Sequence, residues 1–261
     1  MRKLSVSNLA WATNDEDKVF DRLNELNIQD IEVAPTKVFG PWEEIDLNDV
    51  AKYAKFLTTR QLEASSLQAI LFQKNVNIFD RSHHSSIIQH FKLLSEIAYH
   101  LNIKNMVFGA PKTRKRNSLS YTKGMDIALE LFEKLANVVS TKSARIVLEA
   151  NPIDYGCDFL TCHSDVIDFV NTIDSDGIGF HIDTGALKMT SDSGIREYFS
   201  ASAKHCHVSL PQLAPIVTDQ EFIKYCMQSI PENYNNWIVL EMLEPESLNA
   251  LFESLALFSE G

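Results

Sequence analysis

Short apolar runs alternate with longer amphipathic runs along the whole chain. The apolar runs fall at residues 4–9, 30–34, 63–70, 105–110, 145–150, 178–183, 205–210 and 237–242. Each is the length of a buried strand and rich in β-branched residues or leucine. Between them lie segments with helical spacing, near 15–27, 46–59, 84–101, 123–140, 163–173, 193–202, 219–229 and 245–258. Strict strand–helix alternation implies parallel strands joined by crossover helices. Eight such pairs in 261 residues predict an α/β fold, a closed (β/α)8 barrel, which needs about 250 residues. An open doubly wound sheet is the rival, but the first turn, NLAWATND, lacks the glycines of a dinucleotide site. No linker or low-complexity tract divides the chain, so residues 1–261 read as one domain. Asn14–Asp17, His163–Val166 and Thr218–Glu221 read as helix starts. Residues 35–45 and 111–122 form longer connections after strands, on the face where barrels keep their chemistry.

Four of the apolar runs end in a side chain able to hold a cation: Glu149, Asp183, His207 and Glu241, spaced 34, 24 and 34 residues apart. Strand parity puts all four on the inner side, with Val147, His181, His205 and Val239 one step below. A lone acid at a strand end is usually a cap or an ion-pair partner. Four in consecutive units, converging on one mouth, make a site for a single divalent ion: Mn²⁺, Mg²⁺, Co²⁺ or Zn²⁺. His181 and His205 sit deeper, where an inward histidine more often supports a ligand than serves as one.

The same parity turns Glu32 inward as a member of a buried network. Gln68, ending the third run, and Asn151, after Glu149, are candidates to contact substrate hydroxyls. Lys112 and Arg114 are candidates for an anion clamp, since arginine forms two parallel bonds to phosphate or carboxylate. Trp11, after the first run, either offers an aromatic face to a ligand at the mouth or packs within its loop.

Hydrophobic residues make up 45% of the chain and charged residues 23%, as in ordinary globular proteins. The net charge of −11 and a pI near 5.2 argue against nucleic acid as a partner. The four cysteines, at 157, 162, 206 and 226, have no disulfide-framework spacing, which suggests a reducing cytoplasm. No run is long enough to span a membrane. The oligomeric state stays open, a homo-oligomer included.

With these residues in place, the chain resembles the xylose isomerase-like barrel superfamily, and within it the sugar phosphate isomerase/epimerase group that includes ketose 3-epimerases. The resemblance runs through IEVAPTK (31–37), SLQAILF (66–72), VFGAPKTR (107–114), LEANP (148–152), HIDTGAL (181–187), HVS (207–209) and LEM (240–242). It implies that Glu149, Asp183, His207 and Glu241 bind one divalent metal, and that Glu149 and Glu241 also trade the substrate proton. The expected activity is a sugar or sugar-phosphate isomerase or epimerase, working through a metal-stabilised enediolate. A lyase or dehydratase on the same barrel, an apurinic-endonuclease-like phosphodiesterase and a non-catalytic sugar-binding protein are the alternatives. The chain departs from the three-metal endonucleases at Gln68, where a histidine might stand, at Ala110–Lys112, which offers none, and at Ala186, where the endonucleases and several epimerases place a histidine. It also lacks the arginine that epimerases carry shortly after the seventh-strand histidine: Ser209–Pro215 contains none.

Overall fold

The computed structural model describes residues 2–260. Eight strands form: β1 (Lys3–Ser7), β2 (Asp30–Val33), β3 (Glu63–Leu67), β4 (Asn105–Phe108), β5 (Arg145–Leu148), β6 (Ile178–Asp183), β7 (His205–Val208) and β8 (Trp237–Leu240). They pair in parallel and in sequence order, and β1 closes the ring against β8. The fold is thus the expected (β/α)8 barrel. Closure leaves no sheet edge unpaired.

Helices α1 (Glu16–Glu25), α2 (Pro35–Phe39), α3 (Leu47–Thr59), α4 (His84–His100), α5 (Tyr121–Ser140), α6 (His163–Ile173), α7 (Thr184–Met189), α8 (Ile195–Ser200), α9 (Gln220–Ser229) and α10 (Leu248–Ser259) form the crossovers. The short α2 and α7 are too brief to show a helical period. Pro35 presets the first turn of α2, and Gly40 ends it at φ 80°. At the expected helix starts, Asp219 caps α9 by accepting from the Phe222 N–H at 3.2 Å. No side chain caps α1 or α6; Asp15 instead pairs with Lys18. Among the described residues, no helix is long and apolar enough to cross a membrane.

Strand alternation divides the core in two. Val6, Ile31, Leu67, Phe108, Leu148, Ile182, Val208 and Leu240 are fully buried and pack toward the helices. The barrel interior is much more polar. Ser5, Ser7, Glu32, Ser66, His181, His205 and His207 are also fully buried there, alongside Val107, Val147 and Val239. A buried polar group is costly unless it finds a partner, and most of these side chains are bonded to one another, His181 being the exception. The Ser66 hydroxyl donates to Glu32 Oε2 at 2.8 Å.

Apart from β6, the strands end one to three residues before their apolar runs do, and the difference is largest at β3. The apolar run at 63–70 suggests a strand through Ile70, but β3 ends at Leu67. Ala69 adopts a left-handed backbone, φ 52°, and that reversal carries Ile70–Lys74 across the mouth. Periodicity alone cannot separate a buried strand from an apolar loop that follows it.

Candidate metal centre

The C-terminal ends of β5 to β8 bring the four strand-end residues to one mouth. Glu149 and Glu241 stand one residue beyond their strands, and each still adds a rung to the ladder. The Glu149 N–H donates to the Phe108 carbonyl at 3.2 Å, and the Glu241 N–H to the Val208 carbonyl at 3.1 Å. These bonds fix both side chains inward. Asp183 and His207 are register partners in β6 and β7.

The ligand atoms of Asp183, His207 and Glu241 all lie within 4.8 Å of one another. Glu149 faces the same cavity. Asn151 Nδ2 donates to its Oε1 at 2.7 Å, and Gly109 leaves room for its carboxylate: a Cβ there would lie 2.8 Å from Glu149 Oε2. Asp183 is held at both oxygens. Oδ1 accepts from the Ala186 N–H, capping α7, and Oδ2 accepts from the Ser209 hydroxyl, each at 2.6 Å.

His207 stands between two carboxylates. Its Nδ1 lies 2.9 Å from Glu241 Oε2, and its Nε2 lies 2.8 Å from Glu32 Oε1. Glu32 Oε2 also accepts from His205 Nε2 at 3.0 Å. Glu32 therefore grips the inner edge of the His207 ring and leaves Nδ1 toward the mouth. A carboxylate behind a histidine is the arrangement that orients a metal-binding imidazole. One layer down, His181, His205 and His207 approach each other within 4.8 Å, and neither ring nitrogen of His181 has a hydrogen-bond partner.

The charges are unbalanced. Burial, then repulsion from Asp183 and Glu241, pushes the Glu149 carboxyl up to about 8. Burial and Glu241 push Asp183 up to about 6. Burial alone would depress His207, but Glu241 and Glu32 outweigh it and raise its pKa well above the ordinary value. Burial would raise Glu32, yet contact with His207 and His205 holds it well below the carboxylate range. A divalent cation among Glu149, Asp183, His207 and Glu241 would relieve the repulsion that shifts the two acids. The donor set, oxygen-rich with one imidazole, fits such an ion.

The other sequence candidates divide into two groups. Gln68, Lys112 and Asn151 line the cavity with Glu149, Asp183 and Glu241. Gln68 is tied at the floor, its amide donating to the Ser7 hydroxyl, and Lys112 is exposed at the rim. Arg114 and Trp11 lie outside it. Arg114 is wholly buried and donates from Nη1 to the Glu149 carbonyl at 2.9 Å, so it braces that backbone rather than facing a ligand. Trp11 is buried against Phe20, with ring centroids 6.3 Å apart.

The cavity also recruits residues that the strand-end pattern does not single out: Leu9, Leu71, Phe72, Gln212, Leu213 and Leu243. All lie in the connections that follow strands, Leu9, Gln212 and Leu213 in single 3-10 turns, and apart from Leu9 neither parity nor spacing marks them as inward. Ala69, Ala110, Gln212 and Leu213 share a left-handed backbone without being glycine. Such strain gathers at functional sites. Tyr155 bridges two loops, its hydroxyl accepting from the Gln212 N–H at 3.1 Å. Burial raises its pKa, helped by the nearby acids.

The family model for xylose isomerase-like TIM barrels matches residues 20–259. The chain belongs to this family. No curated protein matches the sequence. Solved structures similar to this xylose isomerase-like barrel include the 3-keto-D-glucoside 4-epimerase YcjR from E. coli, 13% identical over 100% of both chains with a TM-score of 0.73. A D-allulose 3-epimerase from Methylomonas sp., in complex with D-allulose, is 17% identical over 99% of this chain and 94% of its own, with a TM-score of 0.71. A family 2 AP endonuclease from Brucella melitensis is 13% identical over 100% of this chain and 99% of its own, with a TM-score of 0.73. At these identities the likeness is one of fold.

Proposed function

We propose that this xylose isomerase-like barrel is a divalent-metal-dependent sugar isomerase or epimerase that moves a proton beside a carbonyl. The observation that carries the reading is the meeting of Glu149, Asp183, His207 and Glu241 at one cavity. The two epimerases among the similar structures support it.

In this reading Asp183 and His207 are held rigidly for coordination, Asp183 by the start of α7 and Ser209, His207 by Glu32. Glu149 and Glu241 complete the ligand set. A bound divalent ion supplies Lewis-acid polarisation of the substrate carbonyl, which makes the neighbouring C–H bond acidic. One glutamate takes that proton and the other returns one. Return to the opposite face of the same carbon inverts it; return to the neighbouring carbon exchanges aldose and ketose. The environments of the two glutamates differ as such a pair requires. Glu149 is flanked by other acids and by the neutral amide of Asn151, whereas Glu241 lies against the His207 ring.

The likeness to an AP endonuclease raises phosphodiester cleavage as the competing reading. The residues speak against it. Gln68 stands where the three-metal enzymes place a histidine, the fourth strand ends in Ala110–Lys112 without one, and the chain carries a net charge of −11, unsuited to a polyanion. The test is solvent exchange. Metal-loaded protein in D₂O should incorporate deuterium beside the carbonyl of a sugar from a screened panel. A chelator should stop it, and Glu241→Gln should abolish it with an unchanged circular dichroism spectrum. Unchanged exchange in that variant would remove Glu241 from the proton transfer, and cleavage of abasic DNA would replace the reading.

A further inference from the structure

The cavity has two unlike walls. Its acids come from the β5, β6 and β8 ends. The segments after β3 and β4, the latter beside β5, contribute Ile70, Leu71, Phe72, Ala110 and Pro111. Leu213 and Leu243 continue the apolar surface along the rim. Phe72 and Leu243 remain 55% and 50% exposed at the opening, although the fold buries most of its large apolar side chains. The cavity holds about 720 Å³. That suits a drug-sized ligand, since such pockets span about 300–1,000 Å³. A free hexose would leave much of it to water lying on hydrocarbon.

The charge pattern is ill suited to a phosphate end. Phosphorylated substrates of such barrels are usually gripped by the loops after the seventh and eighth strands. Here residues 209–219 contain no lysine or arginine, and residues 241–247 contain none while adding Glu244 and Glu246 to Glu241. Of the basic residues lining the cavity, Lys74 is paired with Glu43 at 2.8 Å. That leaves Lys112 alone against the acids, where a phosphate dianion needs several converging donors.

Resting on the isomerase/epimerase reading, we infer that the substrate is an uncharged glycoside whose sugar ring carries a ketone and whose aglycone is apolar. The ring lies against Glu149, Asp183 and Glu241, and the aglycone lies between Leu71, Phe72 and Leu243. The ketone follows from the chemistry. A glycosidic bond blocks ring opening, so the carbonyl that acidifies the C–H bond must be a ring carbon already oxidised from its alcohol. An alcohol-oxidising enzyme must therefore act before this one. The step itself is redox-neutral: one C–H bond breaks, its electron pair moves into the carbonyl system, a glutamate takes the proton, and a new C–H bond forms on the opposite face.

The test uses metal-loaded protein in D₂O with a 4-nitrophenyl glucoside and a methyl glucoside, each bearing one ring ketone, and with D-fructose 6-phosphate. Deuterium incorporation read by NMR should give the aryl ketone a kcat/KM about tenfold or more above the methyl ketone, with no exchange for the phosphate. Phe72→Ser and Leu243→Ser should each collapse the aryl-to-methyl ratio severalfold, since burying one apolar side chain changes affinity by about that much. Equal rates for aryl and methyl ketones, or exchange of the phosphorylated sugar at a comparable rate, would overturn the inference while leaving the proton-transfer reading intact. Absence of exchange from every ketone would overturn both.

Discussion

Two small features decide whether the carboxylates at the mouth can do chemistry. The first is Gly109. Replacement by alanine would put a methyl group 2.8 Å from Glu149 Oε2, so the carboxylate must move. A displacement of about 1 Å costs on the order of 100-fold in rate. Gly109→Ala is therefore expected to lower deuterium exchange roughly 100-fold with an unchanged circular dichroism spectrum; exchange within twofold of the parent would show that Glu149 needs no such room. The second is Glu32. Loss of a carboxylate behind a coordinating histidine typically weakens metal binding about 10–100-fold. Glu32→Gln should do so here, as read by competition with a metal-chelating dye. Both residues show the limits of sequence reading. Glu32 could be placed inside the barrel by strand parity, but its particular partners, His205 and His207, depend on barrel closure. Gly109 carries no chemical group, so only the distance to its neighbour reveals its role.

At the scale of elements, strands were more legible than loops. All eight strands follow from the short apolar runs, and the inward positions of Glu149, Asp183, His207 and Glu241 from period-two alternation along them. The apolar wall does not, because its residues sit in segments with no period, starting where Ala69 turns β3 aside. Even the basic run after β4 divides by burial: Lys112 reaches the rim while Arg114 disappears beneath Glu149, a difference that depends on how the short turn at Pro111–Thr113 packs. Trp42 pins the segment after β3, its indole N–H donating to the Phe72 carbonyl at 2.7 Å. Trp42→Phe removes that bond, at a cost of about 1 kcal/mol. Amides 69–74 should then exchange with solvent roughly fivefold faster, measurable by NMR hydrogen exchange, while strand amides keep their protection. Equal acceleration in both would mean that Trp42 supports the whole barrel instead.

For the whole molecule, the uncompensated acids make stability depend on pH and metal. Glu149 titrates near 8 in the folded chain against an ordinary 4.5. The folded state therefore holds a proton that the unfolded state has released, and stability falls as pH rises toward and through 8. His207, raised well above its ordinary 6.5, acts in the same sense. Below pH 6.5 the buried His163, His181 and His205, all depressed, act oppositely, because unfolding lets them take up protons. Metal-free protein should thus be most stable near pH 6.5 and lose a few degrees of melting temperature by pH 8. Mn²⁺ should restore the loss at pH 8, and Glu149→Gln should abolish about half of it without metal, the rest being carried by His207. A fall of the same size in that variant would place its origin elsewhere.

The backbone reversal at Ala69 has a consequence beyond the shape of this cavity. The segment it launches is pinned by side chains, His90 at the Ile70 carbonyl and Trp42 at the Phe72 carbonyl, and takes no part in strand pairing or in the set of coordinating side chains. Lengthening, shortening or exchanging that segment would leave the barrel register undisturbed. A lineage could therefore change its diet without reinventing its reaction, and related barrels with the same four strand ends should diverge first and furthest at this turn.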